Sequence, residues 1–236
     1  MTLKLYANFI SQPSRAIIWA LKVKGEDFEL VEMVPGSELF HSYEFKAINP
    51  NQLVPVIKDE DFVLSEGMAI ITYLADKFQW TDLYPKDVRA RAKVNEFLHW
   101  HHTNTRLFTL NIHRPSLAKQ DNRATPKDLA ALDNMDALIE KELGLLETFL
   151  DKDYIAHTDA PTVADYAAYC EIDQLEMVGI DFSKYKKVSA WMDRMKKLPY
   201  HDEVHEPLDA FLTKCGLRAT ANKQVGAGGD SNGFTG

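Results

Sequence analysis

The spacing of apolar residues along this chain changes character once, and that change divides it into two unlike halves. Up to about residue 80 two periodicities alternate. Leu3 to Phe9 is short and rich in β-formers, Ala16 to Val23 has the helical period, and Phe28 to Val34 returns to a strand pattern. A strand, a helix and a strand within about 35 residues predict a parallel βαβ pair. Val54 to Ile57 and Phe62 to Leu64 read as two more strands, joined through Lys58 to Asp61 by a connection short enough for an antiparallel hairpin. Ile70, Ile71, Leu74 and Phe78 then share one helical face. Beyond Pro85 strand signals vanish. Leu129, Leu132, Met135, Leu138, Ile139, Leu146, Phe149 and Leu150 hold the i+3/i+4 spacing over about six turns, and further helices fit Arg89 to Arg114, Val163 to Val178, Val188 to Leu198 and Val204 to Lys214. The expected class is an α/β unit over residues 1–80, a linker over 81–88 and an all-helical domain over 89–218. Residues 219–236 hold five glycines in 18 with almost nothing apolar, and read as a mobile tail or an appended, non-native segment.

Charge and cysteine content exclude several function classes. Twenty-seven basic against 35 acidic residues give a net charge of -8, so nothing electrostatic favours a nucleic-acid or anionic-membrane partner. Cys170 and Cys215 are too few for a disulfide framework and suit a reducing compartment. The opening MTLKLYANFISQPSR carries a polar residue every second or third position and is neither a signal h-region nor a spanning helix, so a soluble, cytoplasmic protein is expected.

Three segments carry chemistry. In Ser11-Gln12-Pro13-Ser14-Arg15, proline is favoured at the first helical position, which makes Gln12 the cap and sets Ser11 just outside a helix N-terminus, where free N–H groups and the helix dipole favour an anion. A serine hydroxyl there either caps the helix or donates to a bound anion. In Asn49-Pro50-Asn51-Gln52-Leu53-Val54-Pro55-Val56-Ile57, a proline at a strand start implies an edge position or a cis bond, the latter leaving the Val54 backbone open to an extended ligand. In Leu64-Ser65-Glu66-Gly67-Met68-Ala69-Ile70 a strand runs directly into a helix. Glu66 is either a helix N-terminal charge or an ammonium ligand, and in the second case the Gly67 N–H takes a carboxylate, so that the pair recognises an amino-acid end.

Together, S-Q-P-S-R-A after the first strand, N-P-x-x-x-V-P before the third and L-S-E-G-M-A-I-x-x-Y-L opening the next helix resemble a cytosolic glutathione S-transferase of the serine type, most similar to the theta class. The resemblance runs from about Leu3 to Leu217 and includes Pro161-Thr162-Val163-Ala164-Asp165, similar to the family's buried capping box, for which a purely structural role is expected. It implies a thioredoxin-like N-terminal domain followed by an all-helical C-terminal domain, usually as a homodimer, with glutathione as cosubstrate, no metal, and a role in detoxification.

Carried over residue by residue, the resemblance makes Ser11 the donor that stabilises the glutathione thiolate. A free thiol titrates near 8.5 and each unit of lowering is about 1.4 kcal/mol, so one charge-assisted hydrogen bond of about 1.5–3 kcal/mol plus the helix end supplies one to two units. Tyr6 is the rival donor, since other classes use a tyrosine near the end of strand one; a packing role fits it better. Gln12, His41, Gln52, Leu53, Val54, Pro55, Glu66 and Gly67 would hold glutathione. Three contacts depart from the family pattern: Leu53 stands where a basic or polar residue is expected, Gly67 where serine is usual, and Phe40 where the family's histidine falls, with His41 beside it. At about 1 kcal/mol each, their loss weakens glutathione binding by a factor of about ten to a hundred. His102, Arg106, Phe108, Leu208, Phe211 and Leu212 are the candidates for the electrophile site, Arg106 either facing an anionic leaving group or lying as a solvated helix charge. His99, His101, His102 and His113 cluster without metal spacing, and Glu203 between His201 and His205 is not where H-E-x-x-H needs it. Cys170 falls among apolar helix positions and reads as core. The expected activity is thiolate attack on small apolar electrophiles, with peroxide reduction as a side activity. The alternatives are a ligand-binding protein of the same fold with little turnover, favoured by Leu53 and Gly67, and a scaffold domain, disfavoured by the lack of an appended folded domain.

Overall fold

Leu3, Leu5 and Ala7 are buried while Lys4 and Tyr6 between them are half-buried, the period-two pattern of the central strand β1 (Leu3–Ala7). The computed structural model describes residues 3–217; the tail expected over 219–236 lies outside them. From β1 the chain enters α1 (Gln12–Lys24), returns as β2 (Phe28–Glu32), and passes through α2 (Tyr43–Ile48) to β3 (Val56–Asp59), β4 (Phe62–Ser65) and α3 (Gly67–Lys77). The sheet order is β2-β1-β3-β4. β1 pairs parallel with β2, Leu5 opposite Leu30, and antiparallel with β3, Leu5 opposite Ile57; β3 and β4 form the expected antiparallel hairpin. α1 ends at Gly25, whose φ of 67° in the left-handed region lets its N–H close on the Leu21 and Lys22 carbonyls. The sequence assigns no element to Tyr43–Ile48, a short helix capped by the Ser42 hydroxyl, which accepts from the Phe45 N–H at 3.0 Å.

The second half is helical: α4 (Val88–His101), α5 (Arg106–Phe108), α6 (Arg114–Gln120), α7 (Pro126–Asp133), α8 (Met135–Phe149), α9 (Val163–Ile172), α10 (Lys186–Met195) and α11 (His201–Lys214). Three long helices expected from periodicity are broken. The one over Arg89–Arg114 ends at His101, and after a turn α5 leads through a π-helical turn, Thr109–His113, into α6, where Pro115 cannot donate to the preceding turn. The Leu129–Leu150 run divides at Asn134, whose side chain donates to the Ala130 carbonyl at 2.8 Å and competes with the helical ladder. The Val163–Val178 helix tightens to a 3₁₀ turn after Ile172.

One apolar core runs through both halves, from Leu5, Ile17 and Leu74 to Phe97, Tyr166 and Trp191. α1 lies between α3 and α9, and Trp19 on α1 is fully buried with its ring edge-on to Tyr166 at 4.8 Å. A smaller cluster on the other sheet face, Met33, Phe45 and Val56, takes in Tyr6 and Phe40. As expected, Thr162 and Asp165 form a buried capping box. The Thr162 N–H donates to the Asp165 carboxylate at 2.7 Å and its hydroxyl at 2.9 Å, joined by the Ile155 N–H and Trp191 Nε1.

Candidate active site

Ser11 is itself the N-cap of α1, so Gln12 takes the first helical position and Pro13 the second, a shift of one residue from the reading in which Gln12 caps. The Ser11 carbonyl accepts the first helical bond, from the Arg15 N–H at 2.9 Å, and the Ser11 N–H is taken by Asn8 Oδ1 at 2.8 Å. Its hydroxyl makes no capping bond. The loop that carries it is fixed from below by Arg15, which is fully buried. One nitrogen, Nη1, donates to the Phe9 and Ile10 carbonyls at 3.1 and 3.2 Å, and the other, Nη2, reaches the Cys170 carbonyl at 2.8 Å and Asp173 at 3.0 Å in the helical half. Asn8 Nδ2 donates to the Met33 carbonyl, completing the brace.

The Val54-Pro55 bond is cis, and Pro55 is buried. Glu66 caps α3 with φ 74° and its side chain exposed, and among the described residues no protein group bonds the Gly67 N–H behind it. Val54, Pro55, Glu66 and Gly67 line one pocket with Pro13, Leu53, His101, His102 and Arg106. A Cβ at position 67 would stand 2.5 Å from the Pro13 Cβ, so only glycine lets the starts of α1 and α3 approach this closely. Leu53 is 58% exposed and borders this pocket and a larger cavity of about 350 Å³. That cavity holds Ser11, with Ile10, Phe40, Val54 and Leu117 as apolar wall and Asn8, Gln12, Arg106, Thr109, His113 and Arg114 as polar wall. The two spaces share Leu53, Val54 and Arg106 and form one cleft between the halves.

Beneath the cleft lies a polar network that ties α1 to α5 and α9. Arg106 Nη1 donates to Glu171 Oε1 at 2.6 Å and to Gln12 Oε1 at 3.0 Å. The Thr109 hydroxyl donates to the second Glu171 oxygen, and the Gln12 amide to Gln174. Burial raises the pKa of Glu171, opposed by the Arg106 guanidinium. Arg106 is therefore not the solvated helix charge of one sequence reading; it borders the cleft while paired to a buried carboxylate. His101 and His113 are both pushed down to about 3, chiefly by burial, with the Arg106 guanidinium adding to both, and are neutral imidazoles at working pH.

Several expected positions lie elsewhere. His102 lines the pocket of Glu66 and Gly67, not the Ser11 cavity. Phe108 is 1% exposed and belongs to the main core. Leu208 and Leu212 are buried with Met177, with Phe211 and the cavity residue Ile10 packed against them, so the final helix backs the cavity without lining it. His41 is exposed and borders neither space, whereas Phe40 faces the Ser11 cavity. The Gln52 amide donates to the Phe40 carbonyl at 3.4 Å, again outside both linings. Tyr6 sits against Phe45 with ring centroids 6.0 Å apart, in packing. His201 and His205 stack on one another at 4.5 Å, and no group among the described residues could hold a metal ion. Sequence reasoning gave no role to Arg15, Asn8, His113, Glu171 or Gln174. A second carboxylate in α9, beyond the capping Asp165 and among mostly apolar positions, was the available signal for Glu171.

Comparison with known proteins places this architecture. Family models described as the glutathione S-transferase N-terminal and C-terminal domains match residues 1–76 and 105–199. Glutathione S-transferase T1 of Arabidopsis thaliana is 37% identical over 92% of this chain and 93% of its own, and human glutathione S-transferase theta-1 is 32% identical over 90% of each. Two other Arabidopsis thaliana relatives are longer, and this chain spans 40% and 37% of them. Among solved structures, a human theta-class glutathione transferase in complex with the glutathione conjugate of 1-menaphthyl sulfate superposes with a TM-score of 0.77 at 30% identity, over 92% of this chain and 93% of that one.

Proposed function

The chain belongs to the glutathione S-transferase family and is most like its theta class, and from that premise we propose that Ser11 activates the glutathione sulfur for attack on small, largely apolar electrophiles. The activity is glutathione transfer, with glutathione as cosubstrate. The observation that carries the Ser11 assignment is a hydroxyl at the N-cap of α1 with no capping bond, in a cavity between the two halves. A cap hydroxyl ordinarily spends its lone pair on the helix; this one is left to donate. Donation to a thiolate, with the N-terminus of α1 behind it, favours the anion over the thiol. Ser11 takes no proton and forms no covalent bond; the nucleophile is the cosubstrate's sulfur.

The γ-glutamyl end suits the start of α3, its carboxylate on the Gly67 N–H and its ammonium beside Glu66, with His102 bordering the same pocket. Val54 offers its backbone to the cysteinyl part. The electrophile occupies the wider cavity, whose apolar wall of Ile10, Phe40, Leu53 and Leu117 suits a nonpolar body. A homodimer in the cytosol, and a side activity toward peroxides, belong to the same reading and rest on the resemblance alone.

Ser11→Ala lowers the conjugation rate of a chlorodinitrobenzene-type substrate at least about tenfold and leaves glutathione affinity nearly intact, because the lost donor acts mainly on the anion. The thiolate ultraviolet absorbance of the binary complex falls in parallel. Unchanged turnover at neutral pH would return the role to Tyr6.

A further inference from the structure

We propose that Arg114 is a specificity-determining residue of the Ser11 cavity: its unmatched positive charge favours electrophiles whose apolar body ends in a carboxylate, away from the reacting carbon. The proposal rests on the reading of that cavity as the electrophile site.

Charge in the cavity wall is one-sided. Of the described residues that line it, none is acidic, and with His113 neutral only Arg106 and Arg114 carry a formal charge. Arg106 is matched from behind, where Glu171 Oε1 accepts from its Nη1 at 2.6 Å. Arg114 has no such counterpart: among the described residues no ion pair and no side-chain hydrogen bond holds it. Partial burial and the nearby Arg106 charge lower its pKa, and Glu171 opposes them. A guanidinium extended into bulk solvent would be screened from both neighbours, so this charge sits at the cavity edge beside Arg106. An arginine stays protonated even so. Two guanidinium groups thus share one carboxylate, and a ligand anion completes the set. Leu117, three residues on from Arg114 in α6, lines the same cavity, so one helix face presents a cation and an apolar side chain together. Ile10 and Phe40 extend the apolar part of the wall. A single unmatched positive charge suits a monoanion, and the planar guanidinium fork suits a carboxylate.

With an alkyl halide of this kind the glutathione thiolate forms a C–S bond to the halogen-bearing carbon, the carbon–halogen bond breaks, and halide leaves with its electron pair. The thiol proton has already passed to solvent. The carboxylate at the far end keeps its charge throughout, so Arg114 holds ground state and transition state alike and acts through KM.

The test measures kcat and KM for the ω-iodo derivatives of hexanoate and octanoate and for their primary amides, which match them in shape without the charge. Each rate is taken net of the spontaneous reaction, in the wild type, Arg114→Met and Arg114→Lys. The acid-to-amide ratio of kcat/KM falls at least about fivefold in Arg114→Met, through KM, and is largely kept in Arg114→Lys, which retains the charge. An unchanged ratio at both chain lengths overturns the proposal. So does a ratio that holds while KM for glutathione rises, since Arg114 would then bind the cosubstrate's own carboxylate. Should Arg114→Met not fold, wild-type affinities decide: a glutathione S-conjugate with a terminal carboxylate on its alkyl chain binds at least about fivefold tighter than the matching amide, and equal or weaker binding overturns the proposal. Failure of the underlying glutathione reading looks different, with no iodide released from any of these compounds above the spontaneous rate and neither conjugate bound, and it overturns both.

Discussion

At position 67 a missing side chain controls the site. The family pattern places serine there, and its absence reads in the sequence as a lost hydroxyl contact. The structure gives the absence a steric cause, since a Cβ would meet Pro13 at 2.5 Å, between two helix N-termini that both face the cleft. Adding a serine therefore does not regain a contact but pushes α1 and α3 apart. Gly67→Ser is expected to lower stability by about 1–3 kcal/mol, as overpacking does, and to weaken glutathione binding as well. Thermal unfolding and glutathione titration check this, and a variant that binds more tightly at unchanged Tm would show that the helix starts can part at no cost. Ser11 follows the same logic, defined by a capping bond that its hydroxyl does not make.

Helix α9 joins the two halves, and its first turn is the part the sequence describes best. Thr162 and Asp165 stand at the spacing that predicts a capping box, and they form one. What the spacing does not show is that the same carboxylate also receives the Ile155 N–H and Trp191 Nε1, at 2.8 and 2.9 Å. Asp165→Ala leaves those donors buried and unpaired at about 1–3 kcal/mol each, so a loss of at least about 3 kcal/mol and a Tm drop near 10 °C are expected. The folded fraction keeps its turnover, because Asp165 touches no cleft residue named here; a normal Tm would refute the count of donors. The helix termini were less legible, as at Asn134 and Pro115, where one residue tips an otherwise continuous apolar period into two helices.

Across the whole molecule, buried ionisable groups near the seam between the halves set the response to pH. His101 is held down to about 3 in the fold but titrates near 6.5 once unfolded. Between those values the unfolded chain binds the extra proton, so this group's contribution to stability is full above about 6.5 and is lost as pH falls toward 3. Asp165, pushed up to about 6 by burial, and Glu171, also raised, act with the opposite sign, so the His101 share is read from a difference. His101→Gln is expected to flatten the acid limb of unfolding free energy between about pH 6.5 and 4.5; parallel limbs for the two proteins would count against a buried neutral imidazole. The change from an α/β to a helical pattern, the parallel pair, the hairpin, the capping box and the three cleft segments were readable from the chain, because each depends on residues within a few turns of one another. The Arg15 brace, the Arg106–Glu171–Gln174 network and the Pro13–Gly67 approach were not. Each joins residues far apart in sequence, and periodicity carries no information about which distant side chain a buried charge or a bare Cα will meet.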